Sequence, residues 1–193
     1  MISAPTSVQR FPRPNAMARR IANSIGTSAR FLLPTAPAVF RSIVWEAEFS
    51  DAKLKRLSLL PDSVSSNEST PQPSLSSQQT ARLKAIKSAL LSRLKGGRDD
   101  VNWDDFDLSS YTGDFHRRVW KAMSQIPFGE TATYAEVASN AGSPLAFRAC
   151  GQACGANPII VFIPCHRVVS STGLGGFGCG LEWKKHFLAM EQK

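Results

Sequence analysis

A cysteine followed directly by a histidine stands at the end of an apolar run. The run is Ile159-Ile160-Val161-Phe162-Ile163, and Pro164-Cys165-His166-Arg167-Val168 follows it. Sulfur attacks as the thiolate, and a neighbouring base or positive charge makes a thiolate available near neutral pH. His166 is a candidate base whose ring can face away from the sulfur and reach it through a water. A carboxylate such as Glu191 could in turn polarise the histidine. A lone cysteine beside a strand is more often a small buried hydrophobe, so the pair does not by itself decide between packing and chemistry.

Several elements must position this pair. The run 159–163 reads as a buried strand that delivers Cys165 at its mouth. Asn157-Pro158 reads as a rigid turn before it, and 170–180 as a Gly-rich loop that lets backbone groups approach a ligand closely. Upstream, apolar spacing from Asp114 through Phe115, Val119, Trp120 and Met123 predicts a helix that Pro127-Phe-Gly129 ends. Thr133 then caps a short helix, Tyr134 to Asn140, with Glu136 at the capping-box position. Gly142-Ser143-Pro144 forms a tight turn, and Leu145 to Cys154 a second helix rich in small residues. Two helices about a turn containing Gly make a helix-turn-helix. Glu182 to Met190 closes the chain as an amphipathic helix with Leu181, Phe187 and Leu188 inward.

The first half carries less chemistry. Arg41 to Phe49 and Lys53 to Leu60 alternate as a hairpin turning at Ser50-Asp51. Residues 61–76 read as a loop, and Gln78 to Leu94 as a helix that Gly96-Gly97 stops. Residues 102–112 are acidic and irregular. The expected division is a basic leader over 1–40, an α/β domain over 41–112 and a domain over 113–193 that holds the cysteine. The leader carries five Arg, five Pro and no acid. It reads as disordered or as an organellar transit peptide, and its prolines favour the first.

The net charge of +8 suggests a polyanionic partner such as nucleic acid. Residues 41–193 carry only +3 of it, so basic charge on the folded part must be clustered. The four cysteines, Cys150, Cys154, Cys165 and Cys179, include no C-x-x-C pair, which fits a reduced intracellular compartment. No apolar stretch approaches the length of a membrane span.

From about Phe115 to Glu191 the chain resembles the O6-alkylguanine-DNA alkyltransferases, the methylated-DNA–protein-cysteine methyltransferases. The residues that carry the resemblance are Ile126-Pro-Phe-Gly-Glu-Thr-Ala-Thr-Tyr134, Asn157-Pro158, the Pro-Cys-His-Arg-Val box and Gly180-Leu-Glu-Trp-Lys-Lys-His-Phe-Leu188. It implies an α/β (α+β) fold: a small N-terminal α/β cap, then a mostly helical domain with a helix-turn-helix. It implies irreversible transfer of an alkyl group from O6-alkylguanine, and from O4-alkylthymine, in DNA to Cys165. The implied relay runs Cys165–water–His166–Glu191, with Asn157 bracing the segment and Arg167 as an ion-pair partner.

Val168, Phe177, Gly178 and Cys179 would line the base pocket. The second helix would enter the minor groove, with Arg148 filling the gap left by a flipped nucleotide. Tyr134 would push the base out and donate a proton, and Ser143 and Ser171 would make further DNA contacts. The partner implied is double-stranded DNA bound by a monomer in the nucleus or cytoplasm, without cofactor, metal or membrane. Some relatives hold a structural zinc in the first domain, and nothing here supplies its ligands. Two departures stand out: Phe147 where small side chains are usual, and Cys179 where glycine is usual. A damage sensor without transfer and a Cys-His hydrolase are the competing readings; a sensor of that kind lacks the cysteine that this chain has.

Overall fold

Trp45–Ser50 (β2) and Lys53–Leu59 (β3) pair antiparallel about a turn at Asp51 and Ala52, where alternation places a hairpin. Asp51 takes a φ of 50°, a left-handed conformation that a short polar side chain tolerates. The computed structural model describes residues 27–33, 43–60, 74–97, 102–111 and 113–192. These fall into two compact units that divide between Asp99 and Asp100. The acidic stretch 102–111 therefore belongs with the second unit, ahead of the boundary expected at 112.

In the first unit, Thr27–Phe31 (β1) pairs antiparallel with the other edge of β2, with Thr27 opposite Phe49 and Phe31 opposite Trp45. This corrects the reading of 1–40 as a leader throughout. A five-residue strand between arginines and prolines has little pattern of its own. It is held by the ladder to β2 and by the burial of Ala29 and Phe31. The rest of that segment, and the loop expected at 61–76 up to residue 73, lie outside the described residues.

Ser77–Leu94 (α1) begins at a capping box. Ser76 Oγ accepts the Gln79 N–H at 3.2 Å, and Gln79 Oε1 accepts the Ser76 N–H at 3.0 Å. Ile86, Leu90 and Leu94, spaced four apart, are its buried apolar stripe. Arg82 Nε donates to the Ala52 carbonyl at the hairpin turn, 3.2 Å away, and the Lys87 ammonium lies 4.8 Å above the Phe31 ring. These two contacts lay α1 along the sheet.

The second unit runs through Asp114–Ser124 (α2), Ala132–Thr133 (β4), Tyr134–Asn140 (α3), Phe147–Gly155 (α4), Val168–Val169 (β5) and Leu181–Glu191 (α5). Trp120 on α2 is fully buried, and its indole N–H donates to the Ala153 carbonyl on α4 at 2.8 Å. Helices α3 and α4 pack on each other, with α2 against both. The capping box at Thr133 is present, with Glu136 Oε2 accepting the Thr133 N–H at 2.6 Å. Helix α4 starts at Phe147 rather than Leu145, because Ser143 to Ala146 closes as a turn with Ala146 N–H on the Ser143 carbonyl at 2.9 Å. Strand β4 runs parallel to β5, Ala132 beside Val168 and Thr133 beside Val169. That short ladder fixes the start of α3 against the end of the cysteine box.

Residues 159–163 are not a strand. They form a tight buried turn, with Ile163 N–H donating to the Ile159 carbonyl at 2.9 Å and Val161 at a φ of 72°. A short continuous apolar run suits any buried backbone path, and length and periodicity do not separate the cases. A positive φ on a β-branched residue costs on the order of 1–3 kcal/mol and persists only where surrounding structure over-determines it. Here burial of every residue from 158 to 168 and the two hydrogen bonds that the Asn157 amide makes across the turn do so.

Candidate active site

Asn157 holds the strained turn by both ends of its amide. Its Oδ1 accepts the Ile159 N–H at 3.0 Å and its Nδ2 donates to the Ile163 carbonyl at 2.7 Å. Pro164 follows, and Cys165–Arg167 turn as a single 3-10 turn. Cys165 is thereby buried at the end of a fixed path. Burial pushes its thiol up from the ordinary value, against the Asn157 hydrogen bond and the positive charge of Lys184, which pull it down. The resting thiol is protonated at neutral pH, so any thiolate must be made on demand by a base.

The candidate base is the next residue in the chain. His166 is almost fully buried, its Nε2 lies 2.8 Å from Glu191 Oε1, and its ring lies against Phe187 with centroids 5.2 Å apart. Burial lowers its pKa, outweighing the hydrogen bond and charge of Glu191 that raise it. A neutral imidazole whose Nε2–H donates to a carboxylate leaves its lone pair on Nδ1. Nδ1 is buried and has no hydrogen-bond partner among the described residues.

Glu191 ties several segments together. Arg167 meets it through Nε on Oε2 and Nη2 on Oε1, both at 2.9 Å, and sends Nη1 to the Ile126 carbonyl at 2.7 Å. The Gly129 N–H donates to Oε2 at 3.3 Å. Gly129 sits at a φ of 81°, and a Cβ there would stand 3.0 Å from the Glu191 carbonyl oxygen, so this turn admits only glycine without movement. Burial opposes the ionisation of Glu191, but the bonds from His166 and Arg167 outweigh it and hold the carboxyl down at about 2. The geometry thus gives Arg167 an ion-pairing role.

Lys184 is a site residue that the motifs did not single out. Its side chain is fully buried, and Nζ donates to the carbonyls of Val168, Leu174 and Gly176. Burial lowers its pKa, while thiolate charge on Cys165 or Cys154 would raise it. It fastens the loop after the cysteine box and places a cation near the sulfur. The missed signal was spacing: Lys184, Phe187 and Glu191 lie at i, i+3 and i+7, and all three are buried on one face of α5. Leu181, expected inward, is 43 % exposed, because the helix begins at that residue and turns it outward.

Tyr134 opens α3 beside the same loop. Its hydroxyl oxygen accepts the Gly176 N–H at 3.2 Å, which leaves its own proton free to be given. Burial raises its pKa, so it is protonated at neutral pH. Gly175, at a φ of 68°, passes so close that a Cβ would lie 2.9 Å from the Tyr134 ring and hydroxyl. Of the expected pocket residues, Val168 is buried and Phe177 sits edge-on to Phe187 at 6.0 Å. Gly178 is exposed and Cys179 partly so; burial of its sulfur pushes the Cys179 thiol up to about 12. Ser143 lies in the turn between α3 and α4, Arg148 is exposed on the first turn of α4, and Ser171 is exposed in the turn 170–173.

Residues 114–193 match the family model described as "6-O-methylguanine DNA methyltransferase, DNA binding domain". A "probable methylated-DNA–protein-cysteine methyltransferase" of Acanthamoeba polyphaga mimivirus is 42% identical over 116 residues, which cover 59% of this chain and 77% of that protein. A methylated-DNA–protein-cysteine methyltransferase of Mycolicibacterium paratuberculosis is 47% identical over 46% of this chain and 54% of its own length. Among solved structures, Mycobacterium tuberculosis OGT in complex with DNA superposes with a TM-score of 0.65 at 30% identity, covering 86% of this chain and 92% of that one. Fold, cysteine box and relatives agree: the chain belongs to the methylated-DNA–protein-cysteine methyltransferase family and carries that family's DNA-binding domain over 114–193.

Proposed function

We propose that the protein repairs DNA by moving the alkyl group of O6-alkylguanine, and of O4-alkylthymine, irreversibly onto Cys165. The carrying observation is the buried histidine beside the thiol, with Nε2 fixed on Glu191 and Nδ1 unpaired. In this reading Nδ1 takes the Cys165 proton through an intervening water. The sulfur forms a bond to the alkyl carbon as the bond from that carbon to O6 breaks. The electron pair stays on the guanine, which is neutralised by a proton from the Tyr134 hydroxyl. Glu191 stabilises the imidazolium that forms, and Arg167 keeps Glu191 ionised. The products are an S-alkylcysteine and an unmodified guanine, and the thiol is consumed.

An oxygen inside the base stack is out of reach of a buried sulfur, so the nucleotide must be extruded first, at a cost of a few kcal/mol. Helix α4 in the minor groove, Arg148 in the vacated stack, Tyr134 against the displaced phosphate and base, and Ser143 and Ser171 on the backbone are the groups proposed to do so, with Val168, Phe177, Gly178 and Cys179 around the base. A monomer suffices, since every group of the relay comes from one chain.

Incubation with duplex DNA carrying labelled O6-methylguanine tests this. The label should move to protein at a stoichiometry of one and map to Cys165, and Cys165→Ala should abolish transfer while still binding the DNA. Label on Cys150, Cys154 or Cys179 would overturn the assignment. Binding without transfer would make the protein a damage sensor.

A further inference from the structure

The helix that carries Arg148 also exposes two large apolar side chains. Leu145, in the turn before α4, is 91 % exposed, and Phe147, its first residue, is 49 % exposed. Phe147, which departs from the small side chain usual at that position, therefore does not pack inward. The turn that presents them is fixed by Ala146 N–H on the Ser143 carbonyl and Ser143 N–H on the Ala138 carbonyl, each at 2.9 Å.

Charge makes their position informative. Residues 100–193, which include the DNA-binding domain, hold eight Lys and Arg against nine Asp and Glu, so this half carries no net positive charge. Residues 137–181 contain no Asp or Glu, and their only Lys or Arg residues are Arg148 and Arg167. Arg167 is buried on Glu191. Arg148 is thus the exposed cation of that span, and it can neutralise about one phosphate there. A span without acid that has one exposed cation and presents Leu and Phe suits a groove that is entered by packing. Apolar wedges between base steps do this in minor-groove proteins, unstacking the duplex as they enter.

We propose that Leu145 and Phe147 form an apolar wedge that enters the minor groove beside Arg148 and holds the duplex open by packing rather than by charge. The proposal deepens the repair reading and rests on its DNA partner. It makes these two side chains positioning residues for base extrusion. A second copy of the chain is the competing occupant of the face.

The test uses the full chain with Cys165→Ala for binding and with Cys165 intact for transfer. Affinity for duplex DNA containing O6-methylguanine is measured over a range of salt for the parent, Leu145→Ala, Phe147→Ala and the double variant. Phe147→Ala should weaken binding about tenfold, the loss typical of one base–aromatic stack, at every salt concentration. The slope of log K against log salt should not change. The ratio of transfer rate from duplex to transfer rate from a free O6-alkylguanine base should fall with the affinity, and 2-aminopurine next to the lesion should lose its unstacking signal.

Unchanged affinity, or a loss that comes with a changed salt slope, overturns the wedge. So does a parent dimer that the variants convert to monomer without loss of DNA affinity. A parent that binds duplex but transfers nothing overturns the repair chemistry alone, because the binding comparison still decides the wedge. A parent that does not bind duplex overturns both.

Discussion

His166 and Glu191 make the site sensitive to acid in two separate ranges. A histidine whose folded pKa is depressed binds its proton later than the unfolded chain does, so its contribution to stability is present above about 6.5 and shrinks as pH falls below it. A carboxyl held at about 2 contributes fully above its ordinary value and loses that contribution as pH falls from about 4.5 towards about 2. The second step amounts to roughly 3 kcal/mol. Urea unfolding at neutral, mildly acidic and strongly acidic pH should show both losses, and Glu191→Gln should lack the second. The same substitution strands Arg167 in a buried site, and breaking a buried pair costs about 3–5 kcal/mol. The transfer rate should be level through neutral pH and fall only below about 6.5, as His166 takes up a proton. A rate that rises on acidification would remove His166 from the role of base. Glu191 shows the limit of sequence at this scale. Near the end of a chain it reads as a solvated residue, and only family resemblance or structure reveals that it is buried among its partners.

At the scale of elements, legibility followed the range of the interactions involved. The capping boxes at Ser76 and Thr133 are settled by residues three apart; the one at Thr133 stands where the sequence places it, and the one at Ser76 starts its helix one residue ahead of the expected Gln78. The hairpin of β2 and β3 is likewise local. Strand β1 depends on a partner about fourteen residues away with prolines between, so its own five residues could not announce it. The turn at 159–163 depends on Asn157 bonding across it, and apolar content alone cannot distinguish it from a strand. Asn157→Ala should therefore open that turn and cost about 1–3 kcal/mol, the penalty for leaving buried backbone groups unpaired. It should also slow transfer from free base and duplex alike, because it displaces the sulfur itself. Stability loss with an unaltered free-base rate would separate the clamp from the chemistry. Gly175→Ala should disturb the loop that covers Tyr134, through an unfavourable φ and a 2.9 Å clash, and lower both the melting temperature and the transfer rate.

Across the whole molecule, charge and chemistry are kept apart. Residues 1–26 hold four Arg and no acid, and residues 27–99 hold eleven Lys and Arg against six acids. The half with the cysteine is close to neutral by the same count. Basic charge outside the DNA-binding domain therefore supplies most of any long-range attraction to a polyanion. Deleting residues 1–26 should reduce the salt dependence of duplex binding by roughly 0.9 for each phosphate that is no longer neutralised. Transfer at saturating DNA should be unchanged, since Cys165, His166, Glu191 and Tyr134 all remain. Extending the deletion through Leu33 should behave differently. It removes β1 and exposes the edge of β2, so a drop in melting temperature should appear that the shorter deletion does not cause. Equal melting temperatures for the two truncations would show that β1 contributes nothing to the first unit. Composition points to a polyanion and not to the site, because net charge says where attraction is strong and not where reaction occurs.

The Asn157 clamp has a consequence for ageing. An asparagine side chain is usually lost by attack of the following backbone nitrogen on its own amide carbon. The residue after Asn157 is proline, whose nitrogen carries no hydrogen and cannot make that attack. Conversion to aspartate would replace the donor that faces the Ile163 carbonyl with a second oxygen, setting two acceptors against each other inside the turn. Pro158 blocks the ordinary route to that failure. For a protein proposed to react once and then be spent, useful life is mostly waiting, and the Asn-Pro pair protects the geometry of Cys165 over that interval.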